Sequence, residues 1–191
     1  MDLSLGPLIV LRFESHGITT KETSTPNVSI TRATSDDCEG ILRCLRAAFE
    51  PYQAQYTRAG YEDTVMTFEA VRNRIENMTV LIARNEVGMI IGTIGAAVRG
   101  AEGHLRGMAV APSSQGSGVA GQLLEAIETE LAEAGCSFVT LDTTTPLLRA
   151  TRFYERNGYV HSGAVSDFFG MPLYEYVKLL QCRSSESDDA G

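Results

Sequence analysis

The chain has no excess of positive charge: 16 Lys and Arg stand against 24 Asp and Glu in 191 residues, a net charge of −8. That argues against nucleic acid or an anionic membrane as the main partner, and is compatible with an amine substrate. There is no C-x-x-C pair. Cys38, Cys44, Cys136 and Cys182 are scattered with no histidine beside them, so no metal site is expected, and unpaired thiols suit a reducing compartment. No apolar run reaches bilayer length; Leu8-Ile9-Val10-Leu11 is too short and lacks a basic flank. The expectation is a cytoplasmic protein with no membrane partner. No lysine follows the glycines after residue 115, which excludes the phosphate loop G-x-x-x-x-G-K-[ST].

What is present is a series of short periodic segments. Residues 1–26 show no clean period and read as an N-terminal extension; residues 183–191 are small and acidic and read as a disordered tail. Residues 27–182 read as a single domain. Val28 to Thr31 alternates as a strand, Ser35 is placed to cap a helix carrying Ile41, Leu42, Leu45 and Phe49, and Pro51 stops it. A tyrosine-rich loop is expected over 52–63, then a helix over 64–76. Strands follow over 80–83, 89–98 and 105–111, joined by short turns that make them antiparallel neighbours. A helix over 118–134, a strand over 138–142, a helix from Pro146 to Asn157 ending at Gly158, and two last strands at 159–160 and 173–180 complete a mixed α/β order.

The stretch GHLRGMAVAPSSQGSGVAGQLL, residues 103–124, holds the centre of this order. An apolar strand runs into a glycine-rich turn and then a helix start, where small residues let backbone N–H groups face an anion. Gly116-x-Gly118-x-x-Gly121 satisfies the dinucleotide fingerprint G-x-G-x-x-G, with Asp142 where a ribose-binding acid would sit. That leaves an NAD(P)-binding oxidoreductase as one alternative. Against it, Pro112 to Gln115 separates the strand from the first glycine, and the preceding strands read as antiparallel.

The same turn also reads as Gln/Arg-x-x-Gly-x-Gly/Ala, with Gln115, Gly118 and Ala120 after the strand ending Met108-Ala109-Val110. Farther on stands Arg152-Phe153-Tyr154-Glu155-Arg156-Asn157-Gly158-Tyr159. The two segments together resemble the GNAT superfamily of acetyl-CoA-dependent N-acetyltransferases. The resemblance implies a GNAT-like fold: a central, mostly antiparallel mixed sheet of about seven strands flanked by helices, with a V-shaped split between the fourth and fifth strands.

It further implies that Met108, Ala109 and Val110 hold the pantetheine arm of acetyl-CoA. Gln115, Gly116, Ser117, Gly118, Val119, Ala120 and Gly121 would hold its pyrophosphate. An amine of a small-molecule acceptor then attacks directly. Tyr154 matches the family's tyrosine, a phenol able to serve the leaving thiolate; packing in a helical stripe is its other reading. His104 stands where many relatives carry a glutamate, and its ordinary pKa suits a base; Glu62, Asp63 and Glu102 are fallback bases. Leu147 stands where many relatives have a cofactor-binding Asn. The acceptor pocket is expected from Tyr52, Tyr56, Tyr61, Glu62, Asp167 and Phe168, with the strand over 92–96. A non-catalytic acyl-CoA sensor or scaffold is the second alternative, and a homodimer is compatible with the resemblance.

Overall fold

The structure, a computed structural model, describes residues 28–180. The expectations for residues 1–26 and 183–191, and Cys182, lie outside the described residues.

Seven strands form one sheet: β1 (Ser29–Arg32), β2 (Thr79–Arg84), β3 (Ile90–Arg99), β4 (Glu102–Val110), β5 (Phe138–Thr144), β6 (Val160–Phe168) and β7 (Met171–Leu179). Their spatial order is β1-β2-β3-β4-β5-β7-β6. Every neighbouring pair is antiparallel except β4 with β5. This is the expected mixed sheet, and among the described residues there is no dinucleotide-binding unit of consecutive parallel strands.

Period-two alternation decides which helix each strand side chain meets. In β2, Val80 and Ile82 face α1 (Cys38–Phe49) and α3 (Phe68–Asn77), packing with Ile41, Leu45 and Val71. Leu81 and Ala83 face the other side, where α4 (Val119–Glu133) lays Leu123, Leu124, Ile127 and Leu131 on the sheet. Their spacing makes one continuous stripe along α4. α5 (Leu148–Arg156) adds Tyr154 to that second cluster. Its end is a Schellman motif: Gly158 N–H donates to the Glu155 carbonyl, Tyr159 N–H to the Tyr154 carbonyl, and Gly158 has φ +87°.

Several boundaries differ from the sequence reading. The helix expected over 64–76 is broken. α2 (Arg58–Val65) occupies part of the expected loop, and α3 starts only at Phe68. The break is at Met66, with φ +58°, and each helix has its own threonine cap: Thr57 accepts from Gly60 N–H and Thr67 from Ala70 N–H. The rest of the loop is a 3₁₀ turn over Glu50–Gln55. The cap expected at Ser35 is Thr34, which forms a capping box with Asp37. The helix expected from Pro146 begins as a 3₁₀ turn over Thr145–Leu147 and becomes α-helical at Leu148. β6 is far longer than two residues and takes in Asp167 and Phe168; the tight turn is Phe169-Gly170, with φ +51° and +84°.

Candidate active site

The sheet opens where β4 and β5 part. Their parallel pairing runs from Glu102↔Phe138 to Leu105↔Leu141 and stops, while β5 stays paired with β7 to Thr144. The cause lies in β4. Its register with β3 slips between Arg106 and Ala109, which inserts an extra residue, and Gly107 there has φ +64°. A bulge with a left-handed glycine bends its strand, and β4 turns away from β5. A cleft of about 590 Å³ follows, bordered by residues 104–110 of β4 and 141–144 of β5. Beyond Leu105 the β5-facing side of β4 has no strand partner, so backbone groups near Met108, Ala109 and Val110 are free to bind an extended ligand.

At one end of the cleft is the glycine turn. Gly116 and Gly118 have φ +84° and +89°, and nothing within 4 Å would meet a side chain at Gly116. Gly118 caps α4, and its carbonyl accepts the Gln122 N–H. The amides of Val119, Ala120 and Gly121 come before any intrahelical bond and carry the positive end of the helix dipole. Gly116, Gly118, Ala120 and Gly121 line the cleft. Ser117 and Val119 do not: the Ser117 hydroxyl donates to the Ser114 carbonyl, and the Val119 side chain is core. Gln115 folds back, its amide N–H donating to the Val110 carbonyl at 3.1 Å, and Arg149 of α5 donates to its Oε1 at 3.4 Å. Arg149 thereby brings a cation beside the turn, and Leu147 lines the same cleft as an apolar side chain.

Tyr154 is held at the cleft by α5. Its ring packs edge-on to Phe153 and Tyr159, and its hydroxyl donates to the Met108 Sδ at 3.1 Å. A thioether is a weak acceptor. The residue is only 7% exposed, and burial pushes its phenol well above the ordinary value, so the proton stays on.

His104 is buried. Its Nδ1 lies 2.8 Å from the Thr140 Oγ1, directly across the β4–β5 pair, and its Nε2 lies 3.5 Å from the Asp142 Oδ2. Thr140 has one hydroxyl hydrogen and donates it to the Glu102 carboxylate. The threonine oxygen is then an acceptor for Nδ1–H, which leaves the lone pair on Nε2, the nitrogen facing Asp142. Burial lowers the His104 pKa; Asp142 raises it, Arg99 lowers it, Glu102 raises it and Arg106 lowers it. Burial raises the Asp142 pKa, with His104 pulling the other way. The two groups are thus drawn toward each other in proton affinity, at the point where the strands part.

Of the expected acceptor residues, Tyr52, Tyr56 and Phe168 line the cleft. Tyr56 shares a hydrogen bond of 2.7 Å with the Thr144 hydroxyl and so ties the 3₁₀ turn to β5. Tyr61, Glu62 and Asp167 do not line it. Glu62 pairs with Arg58 on the exposed face of α2, and Asp167 accepts from Gly170 N–H in the β6–β7 turn. The strand over 92–96 is covered as well: a methyl at Gly92 would lie 2.8 Å from Leu123. Among the fallback bases Asp63 lines the cleft, and Glu102 acts through Thr140. The sequence reading missed Thr140, Arg74, Arg149 and Thr143, whose buried Oγ1 has no hydrogen-bond partner among the described residues. The β4–β5 register would have found Thr140 opposite His104. Cys38, Cys44 and Cys136 are buried free thiols, and burial pushes the pKa of Cys44 up to about 11, so none is a nucleophile.

Comparison with known proteins agrees with the fold. The family model described as Acetyltransferase (GNAT) family matches residues 41–159, well over half of the chain. No curated protein matches in sequence. Among solved structures, a GNAT-family acetyltransferase of Staphylococcus aureus Mu50 is 18% identical with a TM-score of 0.66, covering 81% of this chain and 99% of that one. The PaiA N-acetyltransferase of Thermoplasma acidophilum, solved with coenzyme A, is 18% identical with a TM-score of 0.67, covering 78% and 97%. The ribosomal-protein-S18-alanine N-acetyltransferase of Escherichia coli is 14% identical with a TM-score of 0.67, covering 83% and 97%. At these identities the likeness to solved structures is one of fold.

Proposed function

The chain belongs to the GNAT acetyltransferase family, and from that premise we propose that it transfers an acetyl group from acetyl-CoA to the amine of a small-molecule acceptor. The observation that carries the reading is the cleft itself. It has a free strand edge at Met108–Val110, an anion-binding turn at one end and a phenol donor, Tyr154, aimed across it. Free amides at Gly118 to Gly121, with Arg149 beside them, suit a pyrophosphate. The unpartnered Thr143 hydroxyl and the β4 edge suit the amides of a pantetheine arm.

In this reading the amine nitrogen attacks the thioester carbon and the oxygen takes the charge, stabilised by backbone N–H groups near the bulge. The C–N bond forms, the C–S bond breaks, and coenzyme A leaves as a thiolate. The nitrogen gives its proton to Nε2 of His104, directly or through a water, and cleft water then resets the imidazole. Tyr154 supplies a hydrogen bond to the sulfur as negative charge gathers there. A thiol has an ordinary pKa near 8.5, below that of a buried phenol, so the hydrogen bond and not a complete proton transfer is the tyrosine's contribution. No covalent enzyme intermediate is needed.

Ligand-induced stabilisation tests the cofactor. Acetyl-CoA at about one hundred times its Kd contributes about 2.7 kcal/mol to the folded state, or about 5–10 °C in Tm for a chain of this size. NADH should give no shift. Stabilisation by NADH and not by acetyl-CoA would overturn the acyltransferase reading. Thiol release over a panel of amines then separates an enzyme from an acyl-CoA sensor.

A further inference from the structure

Two glycines on neighbouring strands leave a bare trough on the sheet beside the cleft. Gly95 of β3 lies opposite Arg106 of β4, and Gly107 is the next residue at the bulge. A methyl group at Gly95 would lie 3.5 Å from the Arg74 Cδ, and one at Gly107 would lie 1.9 Å from the Arg74 Nη1. Arg74 therefore leaves α3, crosses the sheet over Gly95 and rests its guanidinium on Gly107. Its stem lies among Leu45, Met66, Val71 and Val80, while its head reaches the cleft.

No ion pair among the described residues uses this guanidinium. Burial and then Arg106 push its pKa down to about 10, with Asp63 acting the other way; it remains a cation at neutral pH. Arg106 leaves β4 on the same face as His104, two residues on, and also lines the cleft with no ion pair. Two guanidiniums thus share the bulge end of the cleft and repel one another, with the Asp63 carboxylate also lining it, and among the described residues neither guanidinium is held in an ion pair. A pocket selecting for an amine alone would favour carboxylates there. This one has cations at the bulge and the His104–Asp142 pair next to them.

We propose that the acceptor is an amine that also carries a carboxylate, an amino acid in chemical class, whose carboxylate is held by Arg74 and Arg106 while its amino group lies toward His104 and Asp142. The inference rests on the acyltransferase reading. A carboxylate at this place satisfies the planar fork of Arg74 and relieves its repulsion with Arg106. The phosphates of acetyl-CoA are not the anion concerned, because their turn lies at residues 116–121 at the start of α4 and not at the bulge.

The test compares the twenty free α-amino acids with their carboxamides, which keep the amine and lose the charge. Thiol release from acetyl-CoA is followed with the wild-type protein. At least one acid should be acetylated at 100-fold or more the kcat/KM of its amide. In Arg74→Gln, KM for that acid should rise 10-fold or more, with acetyl-CoA still raising Tm as in the wild type; Arg74→Lys should recover part of the loss. Amides used as well as acids, or no turnover of any acid by a protein that acetyl-CoA stabilises, overturns the inference and leaves the cofactor reading standing. Failure of acetyl-CoA to stabilise the wild-type protein removes the reading beneath it.

Discussion

Among the described residues the Tyr154 hydroxyl has one partner, the Met108 sulfur, and its ring is locked between Phe153 and Tyr159. Removing the oxygen changes little packing, because a phenylalanine fills the same volume and the lost bond went to a weak acceptor. Tyr154→Phe should therefore lower kcat about 100-fold, within the range of a single positioned hydrogen-bond donor to a developing anion, while the Kd of acetyl-CoA stays within about two-fold; unchanged turnover removes Tyr154 from the reaction. His104 makes a pH-dependent claim. The fold holds its pKa below the ordinary 6.5, with burial the largest cause, so the neutral, base-competent form dominates above that value. kcat/KM should rise from acid pH and lose this dependence before neutrality. The stability has the same sign: the unfolded chain takes the proton more readily than the fold, so stability is full above the ordinary histidine pKa and falls as pH drops below it. In His104→Gln the acid limb of kcat/KM should disappear and Tm should vary less between pH 5 and 7. A limb that persists in the variant assigns it to another group.

At the scale of elements, the bulge in β4 matters more than any one helix. Gly107 carries two constraints at once: a left-handed φ, and the Arg74 guanidinium where a Cβ would be. Gly88, in the turn between β2 and β3, has φ +80° and nothing within 4 Å. Gly88→Ala should cost only the backbone penalty, about 1 kcal/mol. Gly107→Ala should cost at least the same backbone penalty, about 1–2 kcal/mol, and must in addition displace the Arg74 guanidinium, the far end of a flexible side chain; chemical denaturation compares the stabilities of the two variants, and only Gly107→Ala should also raise KM for the acceptor. Much of this was legible in the residues. The β3–β4 turn, the α4 stripe, the turn glycines and the Tyr154 helix all follow from local periodicity and local chemistry. The split of the sheet came through resemblance, since a bulge is a register between two strands and no single strand spells it. The α2–α3 break was readable in the caps Thr57 and Thr67, but the apolar spacing of Phe68, Val71 and Ile75 drew the helix too far back. β6 is exposed along almost its whole length, so it has no buried face to produce alternation. Arg74, Thr140 and Asp142 reach the site across the sheet or through it, and their roles depend on partners distant in sequence.

For the whole molecule, the opening between β4 and β5 divides the sheet into two parts, β1 to β4 and β5 to β7. Four residue pairs, Glu102↔Phe138 to Leu105↔Leu141, join them in the sheet, with α4 packed across the second core. Such a division is costly to the free protein, because strand edges at residues 106–110 and 142–144 have no strand partner on the cleft side where a continuous sheet would be paired. In the proposed function, acetyl-CoA lying in the cleft would act as the missing strand, its amides bonding to both edges and its phosphates to the α4 amides. Binding should then protect backbone amides in a pattern that a surface ligand would not give. On addition of acetyl-CoA, hydrogen exchange should slow at residues 106–110, 116–121 and 142–144, by 10-fold or more where the amide bonds the ligand directly, and should be nearly unchanged in the edge strands β1 and β6. Protection spread evenly over the sheet would mean that the ligand only stabilises the fold globally. Protection at 116–121 alone would mean that the turn binds phosphate while the split between the strands remains unfilled, and the acyl group would then have no defined path to His104 and Tyr154.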